Sequence, residues 1–334
     1  VGPSSGGAVS AHRRQKCYAA KLLRQPGGAP LSRLVHEAVR QAGVAALLRD
    51  RFDLASFAEQ AAVRFCGLAF GFAGKDHALL QAAGSAGYRA LVHQIVGRHF
   101  TNDPTVLPQA RQALALLTQR ASALIEAYRH VAWKPRQVHG RLPHRKDRAG
   151  WPEGVDPPGE WGLSEIGDPW LKRMALEPGD FSVQELATMA VGLVVGTIGN
   201  VQASVCLVLQ QFFEAADRLD AATRAARTDP EQVHQGPLAE QVDQALARQP
   251  PVAFLPRRVT SDVKLHGHEL QVGDDVILWL RAAAESVEAE HRDRALPFGL
   301  YAGETRAPAP HGCPGAMSGR ALVTAIVGEV LRLP

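Results

Sequence analysis

The chain has 334 residues, of which 46% are hydrophobic and 21% charged, proportions typical of a soluble globular protein with a large core. Its 37 basic and 33 acidic side chains leave a net charge of +4, too small to predict nucleic-acid binding unless the charge is clustered. Its four cysteines, Cys17, Cys66, Cys206 and Cys313, are widely spaced, which argues against a disulfide framework or a structural zinc site and favours a reduced, cytoplasmic setting.

The N-terminal end predicts a flexible or processed segment. Residues 1–15 begin without Met, show no secretory signal and are rich in Gly and Ser. We expect one large domain to follow over residues 16–334. Whether the sequence is part of a longer protein stays open at this point.

From residue 31 to about residue 128 the sequence predicts a series of helices. Apolar residues recur at spacings of three and four in "LSRLVHEAVRQAGVAALL" and "PQARQALALLTQRASALIEAYRHV", so each helix would bury one face. Breaks at "RQPGGAP", "FAGKD" and "TNDPT" separate the helices.

Between residues 133 and 179 the periodicity disappears. The segment "KPRQVHGRLPHRKDRAGWPEGVDPPGEWG" is rich in Pro, Gly and Trp and predicts a long irregular excursion. Its basic cluster at 136–148 suggests either a docking patch for an acidic partner or a solvated loop, and the loop is the commoner case.

The longest predicted element follows a capping box formed by Ser182 and Glu185. An apolar helix runs from Val183 to about Leu219, with no charge between Glu185 and Glu214, and is long enough to span a bilayer. Polar residues along it favour a helix buried in protein instead: Thr197, Asn200, Gln202, Ser204, Gln210 and Gln211. We therefore predict no membrane span.

The last third of the chain adds a minor β part and a final helix. Residues 250–281 alternate and contain the turn signals "HGH" and "VGDD", which predicts a small sheet of short hairpins. Residues 308–334 combine a Gly- and Pro-rich loop with an apolar helix. The predicted fold class is mainly α with a small β part.

One face of the long helix carries only small residues. Gly192, Gly196, Gly199 and Ala203 are spaced by four, three and four, so they would expose the backbone to a flat ligand or to another helix. Taken alone, the stripe is better explained by close helix packing.

Cys313 stands at the start of the final helix, between Gly312 and Pro314. A helix N-terminus supplies N–H donors and positive potential, which stabilise a thiolate. Such a thiolate is a soft metal ligand or a nucleophile, whereas an isolated cysteine is usually an inert buried thiol. The flanking histidine and glycines favour the chemical interpretation.

"HGCPG", residues 311–315, resembles the His-x-Cys-x-Gly core of the cytochrome P-450 heme-binding loop. "DFSVQELATMAVGLVVGTIGNVQASVCLVLQQFF" resembles the long central helix that lies across the heme in that family. "PPVAFLPRRVTSDVKLHGHELQVGDDVILWLRAAAES" is similar to its sheet segment. The likeness runs from about residue 10 to residue 334 and is most specific at 250–325.

The resemblance implies a single cytochrome P-450-like domain that holds heme b. The Cys313 thiolate would be the axial iron ligand, which favours O–O cleavage, and Gly315 completes the loop motif. Gly196 and Gly199 would face the porphyrin. The implied propionate contacts are Arg257, His311 and one of His12, Arg13 and Arg14.

The sequence also departs from the family pattern. The central helix normally carries an acidic residue followed by an alcohol for proton delivery, but those positions hold Ile198 and Gly199. The positions of the family's Glu-x-x-Arg pair hold Gln244 and Ala247. The N-terminal quarter of a typical member has no counterpart here.

These departures favour an atypical heme-thiolate oxidoreductase acting on a hydrophobic small molecule. Loss of a general acid costs roughly 10²–10⁴-fold, which would impair dioxygen activation, whereas a peroxide or lipid hydroperoxide already contains an O–O bond. Family branches that rearrange fatty-acid hydroperoxides carry an amide near this point. Asn200 with Gln202 resembles that arrangement, and Thr197 is the nearby hydroxyl.

Two alternatives stay open. One is a conventional O2-dependent monooxygenase, with a ferredoxin-type donor docking at residues 136–148. The other is a catalytically reduced partner protein, which loss of the Glu-x-x-Arg pair favours and retention of Cys313, His311 and Arg257 opposes. A redox partner or a fused or separate enzyme domain is the expected macromolecular partner, and nucleic acid is not expected.

Overall fold

The computed structural model describes residues 6–24, 31–47, 52–94, 103–133, 168–228, 236–286, 295–296, 300–301 and 313–333. The α-helices are α1 (Gly6–Arg24), α2 (Leu31–Leu47), α3 (Leu54–Phe70), α4 (His77–Val92), α5 (Val106–Trp133), α6 (Trp170–Leu176), α7 (Val183–Phe213), α8 (Ala216–Thr228), α9 (Pro237–Arg248), α10 (Leu280–Ser286) and α11 (Ala316–Arg332). The strands are β1 (Phe254–Arg258), β2 (Val263–Leu265), β3 (His268–Leu270), β4 (Asp275–Trp279), β5 (Ala295–Leu296) and β6 (Leu300–Tyr301).

Helix α7 begins at the predicted capping box. The Ser182 hydroxyl oxygen accepts from the Glu185 backbone N–H at 3.2 Å, and the Glu185 carboxylate accepts from the Ser182 N–H at 2.9 Å. The helix ends at Phe213, earlier than the predicted Leu219, because the chain turns at Glu214 before α8 begins.

Helix α7 lies at the centre of the fold and packs against α3, α4, α5 and α11. Among the described residues it is the helix with the length and apolarity to cross a membrane, with a mean hydropathy of 1.8 over its most apolar window. Its contacts with helices on several sides account for that composition, since Leu186, Val194 and Leu209 are fully buried among them.

Two expected boundaries differ from the structure. Helix α1 begins at Gly6, inside the segment 1–15 expected to be flexible. Helix α6 lies inside the excursion expected over 133–179, of which residues 134–167 are outside the described part. Its Trp170 ring meets the Phe70 ring edge to face at a centroid distance of 4.8 Å. A seven-residue helix is too short to produce a visible helical period, so it was missed.

The β part forms two antiparallel pairs over residues 254–279, as predicted. Strand β1 pairs with β4 from Phe254 opposite Trp279 to Arg258 opposite Asp275, and β2 pairs with β3. The β2–β3 turn has φ of 47° at His266 and 85° at Gly267, a left-handed conformation that glycine adopts at little cost. The signal "HGH" therefore marks a true hairpin.

The C-terminal helix α11 packs on α2, α7, α8 and α9. The Arg320 guanidinium binds the Asp243 carboxylate of α9, with Nε to Oδ1 at 2.9 Å, in a largely buried ion pair. This pair fixes α11 against α9, and Cys313 stands just before α11.

Candidate functional site

Cys313 lies exposed at the start of α11, as the sequence predicts. The Gly315 backbone N–H donates to its sulfur, and a Cβ on Gly315 would lie 3.9 Å from Sγ, an ordinary van der Waals contact. The pKa of Cys313 is raised because neighbouring groups remove part of its hydration. The Gly315 N–H and the positive charge of Lys16 act in the opposite direction.

Lys16 on α1 was not predicted to belong to this site. Its ammonium interacts electrostatically with Cys313 and with Cys17, while burial lowers its pKa. It stands three residues after Arg13, and that spacing places both on one side of the helix. The side chain of Arg13, which was predicted to contact a propionate, is outside the described part of the structure. The spacing of three residues from Arg13 is the signal that could have identified Lys16, and the prediction did not use it.

The small-residue stripe on α7 divides into two parts. A Cβ built on Gly192 or on Gly196 meets no described atom within 4 Å, and both residues are exposed. Gly196 therefore lies on a surface of α7 that no described residue covers, and its contact with a flat ligand stays a prediction.

Gly199 contradicts the expectation that it faces a ligand. A Cβ at this position would overlap the ring of Tyr88 on α4, and Gly199 is buried. The absence of a side chain at Gly199 is therefore explained by close packing of α4 on α7. The interpretation of the stripe as a helix-packing surface is right at this residue.

Asn200 lies one turn after Gly196 and carries an available acceptor. Its Nδ2 donates to the Gly196 carbonyl at 2.8 Å. Its Oδ1 is buried and has no hydrogen-bond partner among the described residues. A buried amide oxygen without a donor is costly, so this atom is suited to a ligand O–H or N–H.

Thr197 and Gln202 are both engaged elsewhere in the fold. The Thr197 hydroxyl donates to the Leu193 carbonyl at 2.8 Å and hydrogen-bonds with buried Cys66 on α3. The Gln202 amide donates to the Ala55 carbonyl of α3 at 3.1 Å. Of the three polar side chains predicted for the site, the Asn200 side chain is therefore the one that bonds to Gly196. The side chains of Thr197 and Gln202 bond elsewhere.

The two positions where the family carries its proton relay contribute no polar group. Ile198 is buried, and its side chain fills the space above Gly84 on α4. At Gly199, the ring of Tyr88 packs directly against the helix backbone. Both positions thus serve the packing of α4 on α7.

The remaining predicted cofactor contacts lie on strands and loops. Arg257 is exposed on β1, and its Nη1 donates to the Pro256 carbonyl at 2.9 Å. His311 lies outside the described residues. Across the described ranges, no group of three or more His, Cys, Asp or Glu side chains is arranged to hold a metal ion.

No protein-family model matches the sequence, and no curated protein sequence matches it. Solved structures do match. P450BioI in complex with acyl carrier protein carrying hexadec-9Z-enoic acid has a TM-score of 0.67 at 14% identity, covering 96% of this chain and 72% of its own. Mycobacterium smegmatis CYP164A2 with econazole bound has a TM-score of 0.67 at 17% identity, with coverage of 99% and 74%. Bacillus megaterium CYP109E1 in complex with testosterone has a TM-score of 0.62 at 13% identity, and the match covers 99% of this chain and 76% of that chain.

The chain therefore has the cytochrome P-450 fold, which confirms the predicted fold class and the resemblance read from "HGCPG" and the long helix. Nearly all of this chain is matched, whereas it spans about three quarters of the length of these three solved chains.

Proposed function

We propose that this protein is a heme-thiolate oxidoreductase acting on a hydrophobic small molecule, with Cys313 as the iron ligand. The observation that carries the proposal is the placement of Cys313 immediately before α11, a helix that packs on α7, together with the open surface of α7 at Gly196. The similar structures are complexes with acyl carrier protein carrying hexadec-9Z-enoic acid, with econazole and with testosterone, which supports an apolar substrate.

The described residues fit a heme. The Gly315 N–H disperses negative charge on the Cys313 sulfur, and Gly196 leaves the α7 surface free of a side chain. Arg257, His311 and Arg13 are the proposed propionate contacts, and Gly315 belongs to the ligand loop. Bound in this way, a heme supplies iron redox chemistry and cleavage of an O–O bond, which an axial thiolate favours.

We further propose that the oxidant is a peroxide or a hydroperoxide. A conventional monooxygenase must deliver protons to dioxygen, but Ile198 and Gly199 offer no proton and Thr197 is bonded to Leu193. The Asn200 Oδ1 would accept a hydrogen bond from the substrate O–H and orient it, because an amide binds a proton donor without transferring a proton. Asn200 is therefore the residue proposed to select this chemistry.

Absorption spectroscopy of the purified protein supplied with hemin tests the ligand. We expect the reduced CO complex to have a Soret maximum at about 450 nm, the signature of thiolate ligation. Cys313→Ala should abolish that band. Cys17→Ala, which removes another exposed thiol, should leave it unchanged. Failure to bind hemin, or an unchanged band in the Cys313 variant, would contradict the assignment.

Turnover of a fatty-acid hydroperoxide without any reductant tests the oxidant. We expect wild type to convert it, and Asn200→Ala to change the product distribution and to lower kcat/KM by about tenfold, corresponding to one lost hydrogen bond of about 1.4 kcal/mol. Gln210→Ala is the matched control, because Gln210 is an exposed amide on α7 that bonds to Glu214. Strict dependence on a ferredoxin and its reductase would favour the monooxygenase alternative instead.

A further inference from the structure

The open surface of α7 at Gly196 has a polar side chain on each border. Successive residues of an α-helix are about 100° apart, so Gly199 lies about 60° to one side of Gly196 and Asn200 about 40° to the other. Asn200 carries the amide oxygen that has no partner among the described residues. Gly199 has no side chain of its own, and the ring of Tyr88 on α4 lies against it instead. Tyr88 and Asn200 therefore flank the open surface.

Helix α4 covers α7 on one side of this surface only. The side chain of Val195 packs against Gly87 of α4, and that of Ile198 packs against Gly84. By the same helical geometry, Val195 and Ile198 lie about 100° and about 160° round α7 from the open surface, on the side of the Tyr88 contact. Of these three contacts between α4 and α7, that of Tyr88 is the nearest to the open surface.

The phenol of Tyr88 has a hydroxyl group that the packing of α4 on α7 does not require. A phenylalanine ring would fill the same space over Gly199. In the part of the chain that the structure describes, no group hydrogen-bonds to the Tyr88 hydroxyl. Tyr88 is partly buried, and burial raises its pKa, so the hydroxyl keeps its proton at neutral pH. A hydroxyl that has lost part of its hydration is stabilised by a hydrogen-bond partner.

We infer that Tyr88 is a substrate-binding residue that recognises an organic hydroperoxide, donating from its hydroxyl to a peroxide oxygen while the Asn200 amide oxygen accepts from the terminal O–H. The inference rests on the proposed function and deepens it. A hydroperoxide has one O–H donor and two oxygens that accept, so it satisfies a donor on one border of the surface and an acceptor on the other. The Tyr88 ring supplies an apolar edge for the rest of the substrate.

The position of Tyr88 also bears on the lost alcohol of the central helix. Gly199 stands where the family carries that alcohol, and Tyr88 brings an O–H to the same point from a neighbouring helix. A phenol whose pKa is raised is a weak acid. Tyr88 is therefore suited to hold a substrate by a hydrogen bond and poorly suited to supply protons to dioxygen, which agrees with a peroxide as the oxidant.

Calorimetric titration with three fatty acids of equal chain length tests this inference. The first carries a mid-chain hydroxyl group in place of the hydroperoxide, the second an oxo group at the same carbon, and the third is unsubstituted. The hydroxy acid offers a donor and an acceptor, whereas the oxo acid offers an acceptor alone. Each acid is titrated, without reductant, into hemin-loaded protein whose reduced CO complex has the band at about 450 nm.

We expect Tyr88→Phe to weaken binding of the hydroxy acid and of the oxo acid by about tenfold, as for one lost hydrogen bond, and to leave binding of the unsubstituted acid unchanged. Asn200→Ala should weaken binding of the hydroxy acid alone, because an oxo group has no proton to donate to Asn200. Tyr18→Phe is the matched control and should change none of the affinities, since the Tyr18 hydroxyl on α1 donates to the Glu177 carbonyl.

Equal weakening for all three acids in Tyr88→Phe overturns the inference, because the phenol would then only shape the surface. Unchanged affinities in this variant overturn it too, as does a wild type that binds neither the hydroxy acid nor the oxo acid. Phenylalanine keeps the ring over Gly199, so urea unfolding of Tyr88→Phe should match that of wild type. Absence of the band at about 450 nm in wild type refutes the proposed function instead, so the two failures are distinguishable.

Discussion

At the scale of single residues, the glycines of α7 show how similar sequence positions acquire different roles. Gly196 and Gly199 are three residues apart on one helix and were expected to share one function. The structure gives Gly196 an open surface and gives Gly199 the ring of Tyr88. The difference depends on which helix approaches from each side, and residue spacing along α7 contains no information about that.

The two kinds of glycine should respond oppositely to alanine. Gly199→Ala should destabilise the protein by about 1–3 kcal/mol, because the new methyl group overlaps Tyr88. Gly192→Ala should stabilise it by about 0.5–1 kcal/mol, because alanine is the better helix former and nothing described lies within 4 Å. Urea unfolding of the heme-free variants measures both values. Equal effects at the two positions would refute this division of the stripe.

The polar residues of the site could be predicted only in part. Cys313 was identified because its neighbours in the sequence, Pro314 and Gly315, are also its neighbours in space. Thr197 and Gln202 were grouped with Asn200 by proximity along α7, but their partners, Cys66 and Ala55, lie on α3. A helix has several faces, and tertiary contacts decide which polar side chain remains available.

At the scale of elements, prediction succeeded where the signal is local. The Ser182–Glu185 capping box, the hairpin turn at Gly267 and the final helix after Cys313 each depend on a few adjacent residues. Helix α6 was missed, because its burial of Trp170 and Met174 has no repeat to reveal it. Its position depends on tertiary contacts, namely its packing on α5 and the aromatic contacts of Trp170 with α3, and not on a pattern of its own.

The capping box should make α7 sensitive to acid. The Ser182 backbone N–H and hydroxyl both donate to Glu185 and lower its pKa below the ordinary value of 4.5. A lowered carboxyl pKa adds stability that is present above the ordinary pKa and lost as the pH falls through the lowered one. Ser182→Ala should cost about 1 kcal/mol at neutral pH and should reduce this acid dependence only in part, because alanine keeps the backbone N–H that is the larger cause of the lowered pKa.

Thermal unfolding of wild type and of Ser182→Ala between pH 3 and pH 7 measures the effect. Gln184→Ala is the control, since Gln184 is an exposed neighbour in the first turn of α7 whose side chain takes no part in the box. If Glu185→Gln, which has no carboxyl group to titrate, loses stability in parallel with wild type as the pH falls, Glu185 is not the group responsible.

At the scale of the whole molecule, long-range ion pairs hold together helices that are distant in sequence. Arg120 on α5 binds Asp76 with Nε to Oδ1 at 3.0 Å, and Arg320 on α11 binds Asp243 on α9. Neither pair was predicted, because no local pattern joins residues 44 or 77 positions apart. The second pair matters for function, since α11 is the helix that follows Cys313.

Breaking the α9–α11 pair should weaken the fold in a pH-dependent way. Burial raises the pKa of Asp243 above its ordinary value of 3.8, and Arg320 opposes that rise. A raised carboxyl pKa means that stability is highest where Asp243 is protonated and falls as the pH rises through the raised pKa. Arg320→Met raises that pKa further, so its cost should be small near pH 4 and should reach about 2–3 kcal/mol at pH 8, where a buried carboxylate lacks a partner.

Urea unfolding at a series of pH values measures this cost. Arg40→Met, which breaks an exposed pair with Glu37 on α2, is the matched control and should have little effect on stability at any pH, because solvent screens an exposed pair. Adding Asp243→Leu to Arg320→Met should restore most of the stability at pH 8, because no buried charge remains. If the loss in Arg320→Met is the same at pH 4 and pH 8, the charge of Asp243 is not its cause, and simple loss of packing between α9 and α11 explains it instead.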